Sequence, residues 1–324
     1  MQRFALAIGL AVLACLFGCD KSGSGGGPTG TSSQQQATNS YASAPIPLLI
    51  LDSELPRGEY GTAYSHQMTA IGGGGGYNWS ILSATAPGMF NLSAAGVLTV
   101  TGMPQSTFWA TIDFEVGDGS TTATRQLTFR ANTPPPPPSY FAKGSMYVLN
   151  AGDEMSTIDA GHTLSRFQRA AQDIMRDIAD QLWSPSFSTD HDNYAVIVAG
   201  NGAAGQLGTA IYTAQVSDKV QAINDLAAVT PGGEAPMYSA EQLAESVAFN
   251  MGLIELTLYS GGVFGSDSAA PGGQSDFSNV LAAFTTWLGS ESFDTNAADY
   301  KPSGAHQQFM LNFVAINAGA YTTP

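Results

Sequence analysis

Positive charge is scarce in this 324-residue chain, which carries 11 Lys and Arg against 26 Asp and Glu, for a formal net charge of −15. A phosphate backbone is neutralised by a footprint of basic side chains, so this composition argues against a nucleic-acid partner. Charge of either sign is thin, at 11% of residues. Gly, Ser, Thr and Ala are abundant instead, as in exposed extracytoplasmic chains that draw solubility from hydroxyls. Scattered acidity in such a chain is solubilising, or else serves calcium or a cationic partner. Cysteine occurs only at Cys15 and Cys19, so no disulfide framework exists beyond position 19. His-Glu-x-x-His, Gly-x-x-x-x-Gly-Lys and Gly-x-Ser-x-Gly are all missing, which removes the motif basis for a zinc hydrolase, a P-loop enzyme or a nucleophile elbow. The glycine-rich stretches 199–205 (AGNGAAG) and 259–262 (YSGG) lack the cationic partner and the placement of a dinucleotide fingerprint.

What is present begins at the first residue. Arg3 is followed by fifteen residues, Phe4 to Gly18, without a polar side chain, then by Cys19, Asp20 and Lys21. In size and order this is a signal peptide over 1–18, shorter than the roughly 20 residues of a transmembrane span. Leu16 to Cys19 (LFGC) resembles the lipobox of bacterial lipoproteins, which implies lipidation of Cys19 and removal of Arg3, taking the side-chain sum to −16. Phe17 is bulkier than that family usually has. An overlapping alternative, VLAC, ends at Cys15. Lipidation explains why the one cysteine left after cleavage stands in an export route that would allow disulfides. Asp20 after the lipidated Cys resembles an inner-membrane retention signal of enteric bacteria and leaves inner or outer membrane open.

Composition then divides the chain. Residues 19–44 include GSGGGPTGTSSQQQ and bury nothing, which predicts a disordered tether. Residues 132–139 contain five consecutive prolines, Pro134 to Pro138, and predict a stiff polyproline spacer.

Between them, 45–131 reads as β-structure. Strands are expected at Leu48–Leu51, Tyr64–Ala70, Tyr77–Leu82, Met89–Leu92, Val97–Val100, Phe108–Val116 and Thr122–Phe129, with Gly-containing turns between them. The alternation of Phe108, Ala110, Ile112, Phe114 and Val116 with Trp109, Thr111, Asp113 and Glu115 gives one strand a dry and a wet face. The spacing predicts a sandwich. Leu55, Pro56, Gly58, Gly61, Tyr64, Tyr77, Trp79, Gly96, Leu98, Pro104 and Asp118 resemble the pattern of immunoglobulin-like domains in bacterial surface proteins. That resemblance implies a scaffold or adhesive module, with Trp79 and Tyr64 in its core.

From 140 to 324, strands alternate with helices. A strand at Ser145–Leu149 ends in Asn150-Ala151-Gly152-Asp153. Leu164, Phe167, Ala171, Ile174, Ile178 and Leu182 step by three or four and predict a helix over 163–183. Tyr194–Ala199 is apolar throughout, as a strand buried on both faces is. Val220, Ile223 and Leu226 predict a helix capped by Ser217; Ser239 with Gln242 resembles a capping box for another, reaching Met251. A strand at Ile254–Tyr259 and helices at Phe277–Trp287 and Gln307–Ile316 complete a three-layer α/β domain. Residues 288–299 lack the apolar run of one more central strand.

The order of these pieces over 144–319 resembles a von Willebrand factor type A domain. Where that family's Asp-x-Ser-x-Ser loop would bind a divalent cation through hard oxygen ligands, this chain has Asn150, Gly152 and Glu154. The family's Thr falls at Ala235 or Glu234, and its later Asp near Ser260. The resemblance therefore implies a degenerate metal site. Asn150, Asp153 and Glu154 are its remaining candidates for weak calcium or magnesium, set against a solvated or helix-capping role.

No acid–base constellation shows in sequence. His66, His162 and His306 have no near carboxylate, and His191 lies between Asp190 and Asp192 in a polar stretch. The expectation is a non-catalytic, lipid-anchored surface or periplasmic binding or adhesion protein. It would use no cofactor, and its α/β domain would recognise a protein or cell-surface ligand. The alternatives are a structural subunit of an envelope secretion or pilus-like assembly, and an extracytoplasmic hydrolase with an unrecognised site.

Overall fold

The computed structural model describes residues 38–132, 144–183, 191–208, 211–248, 253–261, 266–270 and 310–316, with a few more between 273 and 283. The signal segment with Cys15 and Cys19, the proline run, most of the helix expected at 277–287, and His306 lie outside the described residues.

The β-rich part opens with β1 (Thr38–Asn39), β2 (Leu49–Ile50), β3 (Tyr64–Gln67), β4 (Ala70–Ile71) and β5 (Asn78–Ala84). It continues through β6 (Phe90–Leu92), β7 (Val97–Val100), β8 (Phe108–Gly117) and β9 (Thr122–Ala131). Strands β5-β8-β9 and β3-β7-β6 form two antiparallel three-stranded sheets, and β2 pairs with β4. The period-two pattern of β8 sends Ala110, Ile112, Phe114 and Val116 inward, where all are buried, and turns Trp109 to solvent. Tyr64, Trp79 and Leu98 meet them in a single core with Phe129. Phe129 is fully buried and edge-on to Tyr64 and Phe90, with ring centroids 5.0 and 5.4 Å away. Emptying that position by Phe129→Ala is expected to cost about 3–5 kcal/mol, read as a lower midpoint in urea with little change in slope. A loss under 1 kcal/mol would contradict this packing.

The α/β part contains β10 (Gly144–Asn150), a 3-10 turn at Asp153–Ser156, β11 (Thr157–Ile158), α1 (Arg166–Asp180), β12 (Asn193–Gly200), β13 (Ala203–Gln206) and β14 (Tyr212–Thr213). Then follow α2 (Val216–Ala228), α3 (Met237–Ala248), β15 (Leu253–Ser260) and β16 (Met310–Ala315). Its sheet runs in the order β13-β12-β10-β15-β16, with β14 also against β12. The pairs β10–β12, β10–β15 and β15–β16 are parallel. Every residue of β10 is buried, because both faces are covered. Tyr147 and Leu149 pack with α1 and α2 on one side, while Met146 and Val148 pack with α3 on the other. The chain is thus a mixed α/β protein with several sheets and few helices.

Three local expectations are corrected. Of the helix expected over 307–316, the described residues Met310–Ala315 form strand β16 instead, paired with β15 in the register Glu255↔Met310 to Ser260↔Ala315; available ladder bonds from β15 outweigh a short apolar run's ambiguous period. Helix α2 starts one residue before Ser217, with Gln215 at the cap and no capping side-chain bond. Ser239 lies inside α3, and its N–H and Oγ donate to the Asp267 carboxylate at 2.6 and 2.7 Å, so it caps nothing. Helix α1 does carry a capping box, made by Ser165 and Gln168.

Residues 38–44, part of the segment expected to be a disordered tether, are ordered and packed. Strand β1 pairs with β11, the Gln168 amide donates to Ser43 O at 2.9 Å, and Ala44 and Leu51 are buried in the core beneath α1 and α2. The β-rich and α/β parts therefore share packing, and residues 36–324 form one unit.

Candidate functional site

Open α/β sheets present ligands to the loops beyond their strands' carboxyl ends. Here those ends are Asn150, Gly200 and Ser260. Asn150 is fully buried where the central strand stops. Its amide donates to Glu154 Oε1 at 2.5 Å and to Ser260 Oγ at 3.1 Å, and its Oδ1 accepts from Gly152 N at 2.8 Å. Burial raises Glu154 above the ordinary carboxylate range, opposed by its hydrogen bonds, including the one from Asn150, and by the Arg166 charge. Arg166 is itself held by Asp159 through a two-pronged contact, with Nη2 to Oδ1 at 2.8 Å.

Two of the three residues singled out as metal candidates therefore meet. Asn150 and Glu154 touch, with Ser260 from the neighbouring strand, whereas Asp153 turns aside and accepts from Gly233 N at 2.8 Å. Gly152 lies against Ala235: a side-chain carbon built on Gly152 would sit 3.1 Å from the Ala235 Cβ. A hard divalent cation takes six or more oxygens. The Asn150–Glu154–Ser260 triangle offers one carboxylate, pushed towards neutrality and already hydrogen-bonded, and an amide whose oxygen is engaged by Gly152 N. Among the described residues no group of three or more His, Cys, Asp or Glu side chains could hold a metal ion.

What the arrangement does provide is rigidity. Asp153 N donates to Gly233 O, Gly232 N to Ala151 O, Asn201 N to Gly232 O and Gly202 N to Glu234 O, at 2.7–2.8 Å. Asn201 adopts the left-handed conformation, at φ 52°, which brings its turn against Gly232 and Gly233. The edge loops 150–157, 200–208 and 230–238 are thus bonded to one another through backbone. No spacing in the sequence signals these contacts, which join positions 31 to 81 residues apart.

The histidines resolve differently from their sequence neighbourhoods. His66 Nε2 is 2.9 Å from Asp52 Oδ1, a carboxylate fourteen residues upstream. His191 packs beside Trp183, with centroids 5.2 Å apart. Its neighbour Asp192 is buried and accepts from Leu182 N at 2.7 Å, a structural duty for one member of the acidic pair flanking His191.

No known protein family matches the chain, and no curated protein does. Among solved structures, it is similar to a von Willebrand factor type A protein from Catenulispora acidiphila at 10% identity and a TM-score of 0.34, covering 78% of this chain and 40% of that one. The type V pili tip protein Mfa5 from Porphyromonas gingivalis aligns at 10% identity and 0.32, covering 64% and 28%. A protein from Bacteroides fragilis NCTC 9343 that is called an α-galactosidase without an established activity aligns at 11% and 0.23, covering 89% and 48%. This chain spans less than half the length of each, and at such scores none bears on activity.

Proposed function

We propose that this protein is a lipid-anchored component of the bacterial cell envelope, facing away from the cytoplasm, that binds a protein or cell-surface ligand and performs no catalysis. Cys19 carries the lipid, and 45–131 is an immunoglobulin-like sandwich that serves as spacer. Residues 140–324 form a von Willebrand factor A-like head that recognises its ligand through the loops at the sheet's carboxyl edge, with no resident cation. The observation that carries the reading is the mutual backbone bonding of loops 150–157, 200–208 and 230–238. Recognition by loops already held in place loses little conformational entropy on binding, as a binding head requires.

The test has two arms in the producing cells. Metabolic labelling with radioactive palmitate should mark the wild type and leave Cys19→Ser unlabelled and soluble. A photo-crosslinking amino acid at Asn201, on the braced edge, should yield discrete adducts in intact cells, while one at Tyr60, exposed in the β-rich part, should not. An unlabelled, soluble wild type sinks the anchor, and equal adducts from both positions sink the assignment of the head. Calcium or magnesium titrated into the full-length protein should give no saturable heat. Micromolar binding lost in Asn150→Ala or Glu154→Gln would show that the altered site still takes a cation.

A further inference from the structure

The first described residues run along the α/β part before they reach the β-rich part. Strand β1 pairs with β11 in the register Thr38↔Ile158 and Asn39↔Thr157, and Ser40 N donates to Ser156 O at 2.7 Å. Further on, the Gln168 amide donates to Ser43 O at 2.9 Å and the Gln172 amide to Pro45 O at 3.0 Å. Hydrogen bonds supply nearly all of this attachment. Of residues 39–45 only Ala44 is buried, and Tyr41 is 52% exposed. From Leu48 onward the chain is rooted differently, because Leu48, Ile50, Leu51 and Asp52 are all buried.

Seating 38–45 therefore fixes a run of backbone dihedrals and takes one methyl side chain out of water. Its hydrogen bonds are exchanged for bonds to water on release, so each contributes little net. A segment held in this way opens by itself, ahead of the core on which it lies. Its position gives that opening a consequence. Ser156, the acceptor for Ser40, is fully buried, and its Oγ donates to Asp153 O at 2.6 Å. Asp153 in turn shares two bonds with Gly233: its N donates to Gly233 O, and its Oδ1 accepts from Gly233 N, both at 2.8 Å. The next carbonyl, Gly232 O, accepts from Asn201 N. An unbroken run of bonds thus leads from the 38–45 segment into all three braced loops. Gln168 adds a link to α1, since its Oε1 accepts from Ser165 N at the helix cap while its amide holds Ser43.

We propose that residues 38–45 are a releasable strap, and that its release loosens the braced edge through Ser156 and Asp153. The proposal rests on the reading of those loops as the recognition edge. The chain between Cys19 and Thr38 arrives at this strap, so a pull or a competing contact on that stretch acts on the edge loops before it reaches the β-rich part. Loops that have lost their bracing lose more conformational entropy on binding, so a released strap weakens recognition.

Hydrogen exchange of single amides in the full-length protein tests this without lipid or ligand, so its outcome is separate from those of the palmitate and crosslinking experiments. In the wild type the bonded Ser40 amide should exchange at least about tenfold faster than the amides of 170–178 in α1, after correction for intrinsic rates. Ser40→Pro deletes the donor to Ser156 O at the end of a two-residue strand. It should speed exchange of the Asp153 and Gly233 amides by about tenfold and leave 194–199 in β12 within about twofold of wild type. Ser156→Ala keeps the backbone ladder but cuts the Oγ bond to Asp153. On that background Ser40→Pro should no longer change exchange at Asp153 or Gly233, because the two substitutions act on one path. Exchange of Ser40 no faster than that of 170–178 would show that the strap leaves only with the core and would overturn the proposal. So would a Ser40→Pro variant with unchanged exchange at Asp153 and Gly233, one in which 194–199 accelerates equally, or an effect that persists in Ser156→Ala.

Discussion

Replacing Lys219 by methionine should destabilise the protein by about 3–5 kcal/mol, which for a chain of this size lowers the melting temperature by on the order of 10 °C. Lys219 is fully buried. Its ammonium donates to Leu51 O at 3.0 Å, Ala179 O at 2.8 Å and Gln181 O at 2.7 Å. Three N–H bonds meet three carbonyls, two of them at the C-terminal end of α1, where helix carbonyls lack partners and a cation is favoured. Arg125 of β9 reinforces the same place, donating to Ile50 O at 2.8 Å and Ala179 O at 2.9 Å and pairing with Asp180 at 3.2 Å. Methionine keeps the volume but takes the donor from Leu51 O and Gln181 O, Ala179 O keeping its bond from Arg125, and each buried acceptor so left costs about 1–3 kcal/mol. Exposed Lys→Met changes typically fall within about 0.5 kcal/mol of neutral, so a loss of that size only would mean that Lys219 does not hold this junction.

Much of the architecture was legible because its signals are local. The alternation in Phe108–Val116, the three-and-four stepping from Leu164 to Leu182 and the all-apolar Tyr194–Ala199 each report the burial of one element, and the structure forms β8, α1 and β12 there. Signals failed where a distant partner decides. Strand β16 depends on register with β15, some fifty residues upstream. Ser239 is taken up by Asp267, which pattern reading of the helix alone cannot foresee. Of the candidate site, Asn150 and Glu154 stand four residues apart on one loop and meet. Their third partner, Ser260, lies 110 residues from Asn150. The contacts that join the two folded parts, Lys219 to Leu51 O and Ser53 to Trp183, span 168 and 130 residues and leave no trace in spacing or composition.

A second large effect concerns pH. Glu241 on α3 is fully buried, and one of its carboxylate oxygens has no hydrogen-bond partner. Burial raises it to about 8; the Gln242 amide, donating at 2.7 Å, opposes this, and the Glu245 carboxylate adds to it. An unfolded Glu titrates near 4.5. Between those values the folded chain holds a proton that the unfolded chain has released, so stability contributed by the neutral acid is complete below about 4.5 and is lost as pH rises towards 8. The slope reaches at most about 1.4 kcal/mol per pH unit. Lys219 acts in the opposite sense. Burial, then the Arg125 charge, brings it from 10.5 down to about 7, against the attraction of Asp180, Asp52 and Asp192. Between about 7 and 10.5 the unfolded chain therefore holds the extra proton, and stability rises with pH. Together the two groups predict a stability minimum between about pH 7 and 8. Glu241→Gln, which keeps the shape and removes the ionisation, should match the wild type near pH 5, exceed it at pH 8 and above, and abolish the falling limb. Denaturant midpoints across pH 4.5 to 10 would show this, and a falling limb that persists in Glu241→Gln would assign it to another group.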